Sequence, residues 1–281
     1  MSEMEHIRVE RDGAVGILTI ARRERLNSLD VRTAQDFRRA GLQLARDTGV
    51  RAVVLRGEGG VFCSGADLKY IHGGGDGADL GYLEPTGDRP APEGYGEVFK
   101  QILEYIHSTI SEIRRAPKPF LAAVDGPAAA GGFGIAMACD LVFASDRAWF
   151  EWAYFKTGLS GAESSTFLLP RLVGFRKAME LVLLGPRLSA EQAREANLVN
   201  RVFPQDTFEE EVRAIARQLA DGPTTAYAAA KDLLNQAAGM DRLDVHLDQE
   251  VDHLARVANG SDFEEGIEAF FGKRPPHFEG R

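Results

Sequence analysis

The most regular pattern along the first part of the chain is an apolar run, then a turn of small residues, then a change to helical spacing. Residues 120–124 (FLAAV) form such a run, and Asp125-Gly126-Pro127 marks the turn. Small residues then lead into GIAMACDLVFASD, which reads as a buried helix followed by a second strand. The same order recurs upstream. The apolar strand at residues 50–56 (VRAVVLR) is followed by Gly57-Glu58-Gly59-Gly60 and then VFCSGADLKYI. Strands at residues 7–10 and 15–20 flank the hairpin signal Arg11-Asp12-Gly13. A helix is expected over residues 31–47 with Asp30 as its N-cap.

Val98, Ile102, Tyr105, Ile106, Ile110 and Ile113 recur at helical spacing and predict an amphipathic helix over 97–115, ended by Pro117 and Pro119. A strand and turn are expected in 149–159, helices over 164–174 and 176–184, and a short strand at 197–202. Ser189 caps the helix between them, with Gln192 at the capping-box position. Beyond residue 205 the pattern is helical throughout, over 207–220, 224–237, 243–258 and 262–271. Alternating strand and helix argue for an α/β fold with a largely parallel sheet over residues 1–204. The shift to helix argues for an appended C-terminal helical region over 205–281.

Composition narrows the partners. A chain of 281 residues fits one large domain, or one domain with a helical appendage. A formal net charge of −9 argues against a nucleic-acid-binding surface, although a local basic patch could hold a phosphorylated ligand. No apolar run reaches the ~18–20 residues of a membrane span. The start MSEMEHIRVERDG has acidic residues and no signal-peptide core. These features lead us to expect a soluble, cytoplasmic protein with no membrane partner. Cys63 and Cys139 stand in apolar surroundings without metal-ligand spacing, so a reducing compartment and no metal are expected. Residues 72–96 are rich in Gly, Pro and Asp, and read as a solvated insertion or as a lid over a pocket.

At the junction after residue 127, the first N–H groups of the helix have no intrahelical acceptor and lie at the positive end of its dipole. An anion, or an oxygen gaining charge, would be stabilised there. Gly131 and Gly132 lack a β-carbon, so a ligand could approach the backbone closely.

Together, RRERLNSL, GGVFCSGADL, the stretch 120–146, GLSGAESSTFLLPRLVG, LSAEQAREANLVNRV and FEEGIEAFFGKRPPHF resemble, in order, the enoyl-CoA hydratase/isomerase (crotonase) superfamily. The resemblance covers nearly the whole chain. It implies a crotonase-like spiral of ββα units, a C-terminal helical region that packs against neighbouring subunits, and a homotrimer or dimer of trimers. An acyl-CoA thioester is the implied substrate, with no separate cofactor. In the family's pattern the oxyanion donors are the N–H groups of Ala66 and Gly131, and the carbonyl of Ser64 lies where the adenine is held. Arg25 lies beside the family's CoA-contacting residues. Phe270 and Lys273 match positions that reach the CoA of a neighbouring subunit.

The proton-transfer residues depart from the pattern. Syn addition of water needs a base and an acid at matched positions, which the family's hydratases supply as two glutamates. Gly134 and Tyr154 stand at those positions here. The aspartate of the family's isomerases corresponds to Ala162, and Glu163 is its neighbour in a glycine-containing turn. Glu163 is therefore the first candidate for the general base, and the alternative is a helix N-terminal carboxylate serving the dipole. Tyr154 is the second, as donor or weak acid, followed by Glu151 and Asp67. Isomerisation is preferred over hydration by non-standard residues. Two other classes stay open. Gly158-Leu159-Ser160-Gly161-Ala162 comes within one residue of a hydrolase nucleophile elbow, with His246, His253 and His277 downstream. A non-catalytic CoA-binding subunit would also lack the glutamates.

Overall fold

The computed structural model describes residues 4–76, 79 and 94–281. Most of the segment expected to be an insertion or lid lies outside the described residues. In chain order the elements are β1 (Ile7–Asp12), β2 (Val15–Ile20), α1 (Val31–Arg46), β3 (Ala52–Gly57), α2 (Leu68–His72), α3 (Tyr95–Arg115) and β4 (Phe120–Val124). Then come β5 (Pro127–Ala129), α4 (Gly131–Ala138), β6 (Leu141–Ser145), β7 (Trp149–Glu151), a 3-10 turn at Ala153–Thr157, α5 (Ser165–Val173) and α6 (Phe175–Leu184). The chain continues through β8 (Leu188–Ser189), α7 (Ala190–Glu195), β9 (Arg201–Phe203), α8 (Phe208–Asp221), α9 (Thr224–Ala237), α10 (Leu243–Ala258) and α11 (Ser261–Gly272).

The main sheet runs β1-β2-β3-β4-β6-β9. Its first pair is the antiparallel hairpin, and every later pair is parallel. Because successive side chains alternate between faces, β3 and β4 feed two cores. Val53, Leu55, Phe120 and Ala122 face the core that holds Phe37 and Leu44 of α1 and Ile102 and Ile110 of α3. Ala52, Val54, Leu121 and Ala123 face Phe208, Val212 and Ala216 of α8. Continuous apolar runs at 52–55 and 120–124 are what burial on both faces requires. A smaller sheet, β5-β7-β8, stands after the turn that ends β4.

Local chemistry sets several boundaries. Asp30 accepts the N–H of Thr33 at 2.7 Å and starts α1. Ser189 and Gln192 form the reciprocal capping box of α7.

The C-terminal helical region is present as expected, and it packs on the core: α8 closes one sheet face, and Leu247 and Leu254 of α10 enter the core beside α3. Some elements differ from expectation, each for a physical reason. The strand read at 197–202 shortens to β9, because Asn197 turns through φ 62° and Leu198 and Val199 are buried in a loop. The strand β5 is only three residues long and hides among small residues that read as turn. Among the described residues no helix is long and apolar enough to cross a membrane.

Candidate active site

A cavity of about 450 Å³ opens between the two sheets' connections and α11, with Arg25, Ser64, Ala66, Tyr154, Glu163 and Phe270 in its wall. Its backbone floor is built by two strand-like segments. Residues 62–67 are strung between β5 and the segment before α1: Cys63 bridges Ala128 and Ala66 bridges Leu29, both in parallel. Leu29 donates its N–H to Gly65 O at 2.8 Å, and Asp67 donates its own to Leu29 O at 2.8 Å. Ala66 lies between these bonds, and its N–H meets no acceptor among the described residues. Ala66 precedes the N-cap Asp67 of the short α2, and its N–H is freed by strand-like pairing.

Gly131 is the first residue of α4, so its N–H has no intrahelical acceptor. Ala130 before it adopts φ 46°, ψ −118°, unusual for a residue with a side chain, and donates its N–H to Glu151 O at 3.0 Å. The two segments meet at Gly65. A β-carbon there would lie 2.8 Å from Ala130 Cβ and 3.0 Å from Gly131 N, so only glycine lets them approach.

Glu163 reaches this floor from the N-terminal side of α5. It and Ser164 both take left-handed backbone, at φ 52° and 61°. A β-carbon on Gly134 would fall 2.8 Å from Glu163 Cβ, and one on Gly131 would fall 2.8 Å from Glu163 Oε1. The side chain therefore crosses over Gly134 and ends at Gly131. Tyr154 donates its hydroxyl to Glu163 Oε2, and His107 Nε2 accepts the N–H of Glu163 at 3.0 Å. Burial pushes the Glu163 carboxyl up to about 8; the Tyr154 hydrogen bond opposes this, and the charge of Glu250 adds to it. Burial also holds Tyr154 well above its usual value, so it stays a neutral donor. The same effect drives His107 down to about 3, leaving a neutral ring free to accept. Cys63 is raised to about 12 by burial, which keeps the thiol protonated.

The remaining candidates separate. Asp67 accepts the N–H groups of Lys69 and Tyr70 and pairs with Arg22 and Arg25, so it serves the turn. Arg25 faces the cavity with its guanidinium on Asp67, and Ser64 lines the same wall. Glu151 is buried rather than on the surface, and is paired with Lys156 and Arg187. Phe270 lines the cavity of its own chain, whereas the resemblance expects it to reach a neighbour's CoA. Lys273 ends α11, exposed and outside the cavity wall.

A hydrolase triad is not assembled among the described residues. The Ser160 hydroxyl is buried without a partner, while His246 bonds Thr166 and His253 bonds Arg256. Among the described residues, no group of three or more His, Cys, Asp or Glu is placed to hold a metal ion.

His107 and Glu250 were not singled out in the sequence. His107 sits on the buried face of the amphipathic α3, and Glu250 forms an i,i+4 pair with His246, a spacing common on helix surfaces.

The fold agrees with comparison to known proteins. The family model for enoyl-CoA hydratase/isomerase matches residues 10–88 and 96–281. The 1,2-epoxyphenylacetyl-CoA isomerase of Escherichia coli (strain K12) is 34% identical over 99% of this chain and 100% of its own. A probable enoyl-CoA hydratase of Rhodobacter capsulatus is 37% identical, covering 98% of each chain. The crystal structure of an enoyl-CoA hydratase from Mycobacterium avium subsp. paratuberculosis K-10 superposes with a TM-score of 0.84 at 32% identity, over 98% of this chain and 99% of that one. The chain belongs to the enoyl-CoA hydratase/isomerase family.

Proposed function

We propose that this protein processes acyl-CoA thioesters through an enolate, by an isomerase-type transfer of a proton along the acyl chain. The observation that carries the reading is the meeting of Glu163 Oε1 with Gly131, beside backbone N–H groups that have no acceptor. With the thioester oxygen between the N–H groups of Ala66 and Gly131, the Glu163 carboxylate takes a proton from the acyl chain. The C–H electron pair moves into the enolate, and the oxygen gains the charge. Each donor contributes roughly 3–4 kcal/mol. The protonated Glu163 carboxyl exchanges its proton with solvent and then delivers a proton to another carbon, so no further reactant is consumed. Tyr154 orients the carboxylate through its hydroxyl.

Two-glutamate hydration is disfavoured because Gly134 and Tyr154 stand at the glutamate positions, and the nearby Glu151 is tied to two cations. Arg25 and the Ser64 carbonyl are assigned to CoA, with Phe270 against the acyl–pantetheine portion. Lys273 is assigned to the CoA of a neighbouring copy. A homotrimer or dimer of trimers agrees with the exposed apolar side chains Phe175, Met179 and Leu183 along α6.

Incubation with 3-enoyl-, 2-enoyl-, branched and aromatic acyl-CoAs in deuterated water tests the reading. Deuterium is expected at the α- or γ-carbon of at least one of them. No exchange with any, despite tight CoA binding, would identify a non-catalytic subunit. Net water addition without positional exchange would instead favour a hydratase.

A further inference from the structure

A second buried carboxylate stands behind the cavity. Glu250 lies in α10, 86 residues beyond Ser164, and is 4% exposed. Its Oε2 accepts the N–H of Ser164 at 2.8 Å, and its Oε1 accepts the N–H of Thr166 at 3.0 Å and the Thr166 hydroxyl at 2.5 Å. These are the opening N–H groups of α5, at the positive end of its dipole. No local side chain caps that helix, and the Ser164 hydroxyl itself finds no partner. The cap therefore comes from a remote element. Across the turn, His107 of α3 holds the N–H of Glu163 and approaches Glu250 Oε2 at 3.6 Å.

Two consecutive non-glycine residues in left-handed backbone need such fixing, because this region is unfavourable for side chains with a β-carbon. We propose that Glu250 is a positioning residue for the reaction: by clamping the Glu163–Ser164 turn it aims the Glu163 carboxylate across Gly134 at the substrate carbon. This inference rests on Glu163 being the acid–base group.

Glu250 acts on charge as well as geometry. The titratable groups around it are His107 from α3, His246 on its own helix at 3.9 Å, and Glu163 and Tyr154 from the turn side. Arg171 of α5 faces His246, which burial and that charge both lower. Burial raises Glu250 to about 7, against its hydrogen bonds from Thr166 and Ser164. At pH 8 it is therefore mostly ionised and disfavours the second charge on Glu163.

The test compares Glu250→Gln and Glu250→Asp in the full chain, following deuterium exchange into a 3-enoyl-CoA across pH. Glu250→Gln is expected to lower kcat about 10–100-fold with KM little changed, and to move the acid limb down by about one pH unit. Glu250→Asp keeps the charge but shortens the clamp. It should lose kcat similarly with the limb where the wild type has it. A simple structural cap would lower the amount of folded enzyme and leave the limb unmoved in both variants.

Unchanged kcat in Glu250→Gln, or an unmoved limb, overturns the proposal. If Glu250→Gln does not fold, wild-type kcat in Glu250→Asp overturns it alone. Glu163→Gln run in parallel separates the two readings. Exchange that survives in Glu163→Gln sinks the base assignment, whereas exchange lost there but intact in Glu250→Gln sinks only the clamp.

Discussion

Glu163→Gln is expected to cut proton exchange into acyl-CoA by about 10²–10⁴-fold, the usual range for a positioned acid–base group. CoA affinity should be unchanged, because the proposed CoA contacts, Arg25 and Ser64, are separate residues of the cavity lining that the substitution leaves in place. In the wild type, exchange should rise with pH to a plateau above about 8, where buried Glu163 becomes a carboxylate. Only that form can take a proton. Global unfolding is not expected to explain the loss. Glu163 has a native value raised from 4.5 to about 8, so the unfolded chain ionises first and wild-type stability falls as pH rises through that window. Glutamine cannot ionise, and its side-chain oxygen can still accept from Tyr154. The variant should therefore melt no lower than the wild type at pH 8. An unchanged exchange rate would place the base elsewhere.

Gly134→Glu restores a glutamate where the family's hydratases carry one, yet it is expected to destroy activity rather than confer hydration. A β-carbon at 134 would press on the Glu163 side chain and backbone carbonyl, and the rest of a glutamate would have to displace them. Overpacking of this kind costs about 1–3 kcal/mol. In a chain this size that is a fall in Tm of roughly 3–10 °C. Exchange should drop at least about 100-fold as Glu163 is pushed from Gly131. A folded Gly134→Glu variant that hydrates 2-enoyl-CoA would show that the two positions are compatible after all. Calorimetry and the exchange assay read the two effects separately.

Much of the architecture could be read from local signals because local chemistry makes it. Asp30 and Ser189 cap the helices that follow them, and buried runs at 52–55 and 120–124 form strands covered on both faces. The glycine-rich turns located Gly131 and the neighbourhood of Ala66 for the same reason. Ala66 shows where this stops: its free N–H follows from a bridge to Leu29, a contact that no spacing rule encodes. Glu163 was visible as the acid next to Ala162, but its direction depends on a left-handed turn and on Tyr154, His107 and Glu250. His107 lies 56 residues before Glu163 in the chain. A histidine inside an apolar helix face and a glutamate paired at i,i+4 look like ordinary helix residues until the tertiary fold brings them to one turn.

The origin of the α5 cap in α10 gives the site an order of birth. Synthesis finishes the main sheet at Phe203, and with it the floor that holds Ala66 and Gly131. The carboxylate that fastens the Glu163 turn is not made until residue 250 and cannot dock before its helix leaves the ribosome. A domain generally folds as a unit once its chain is available. Every residue of the floor that holds Ala66 and Gly131 is thus synthesised before the carboxylate that caps the Glu163 turn, and the two can come together only once α10 has joined the core.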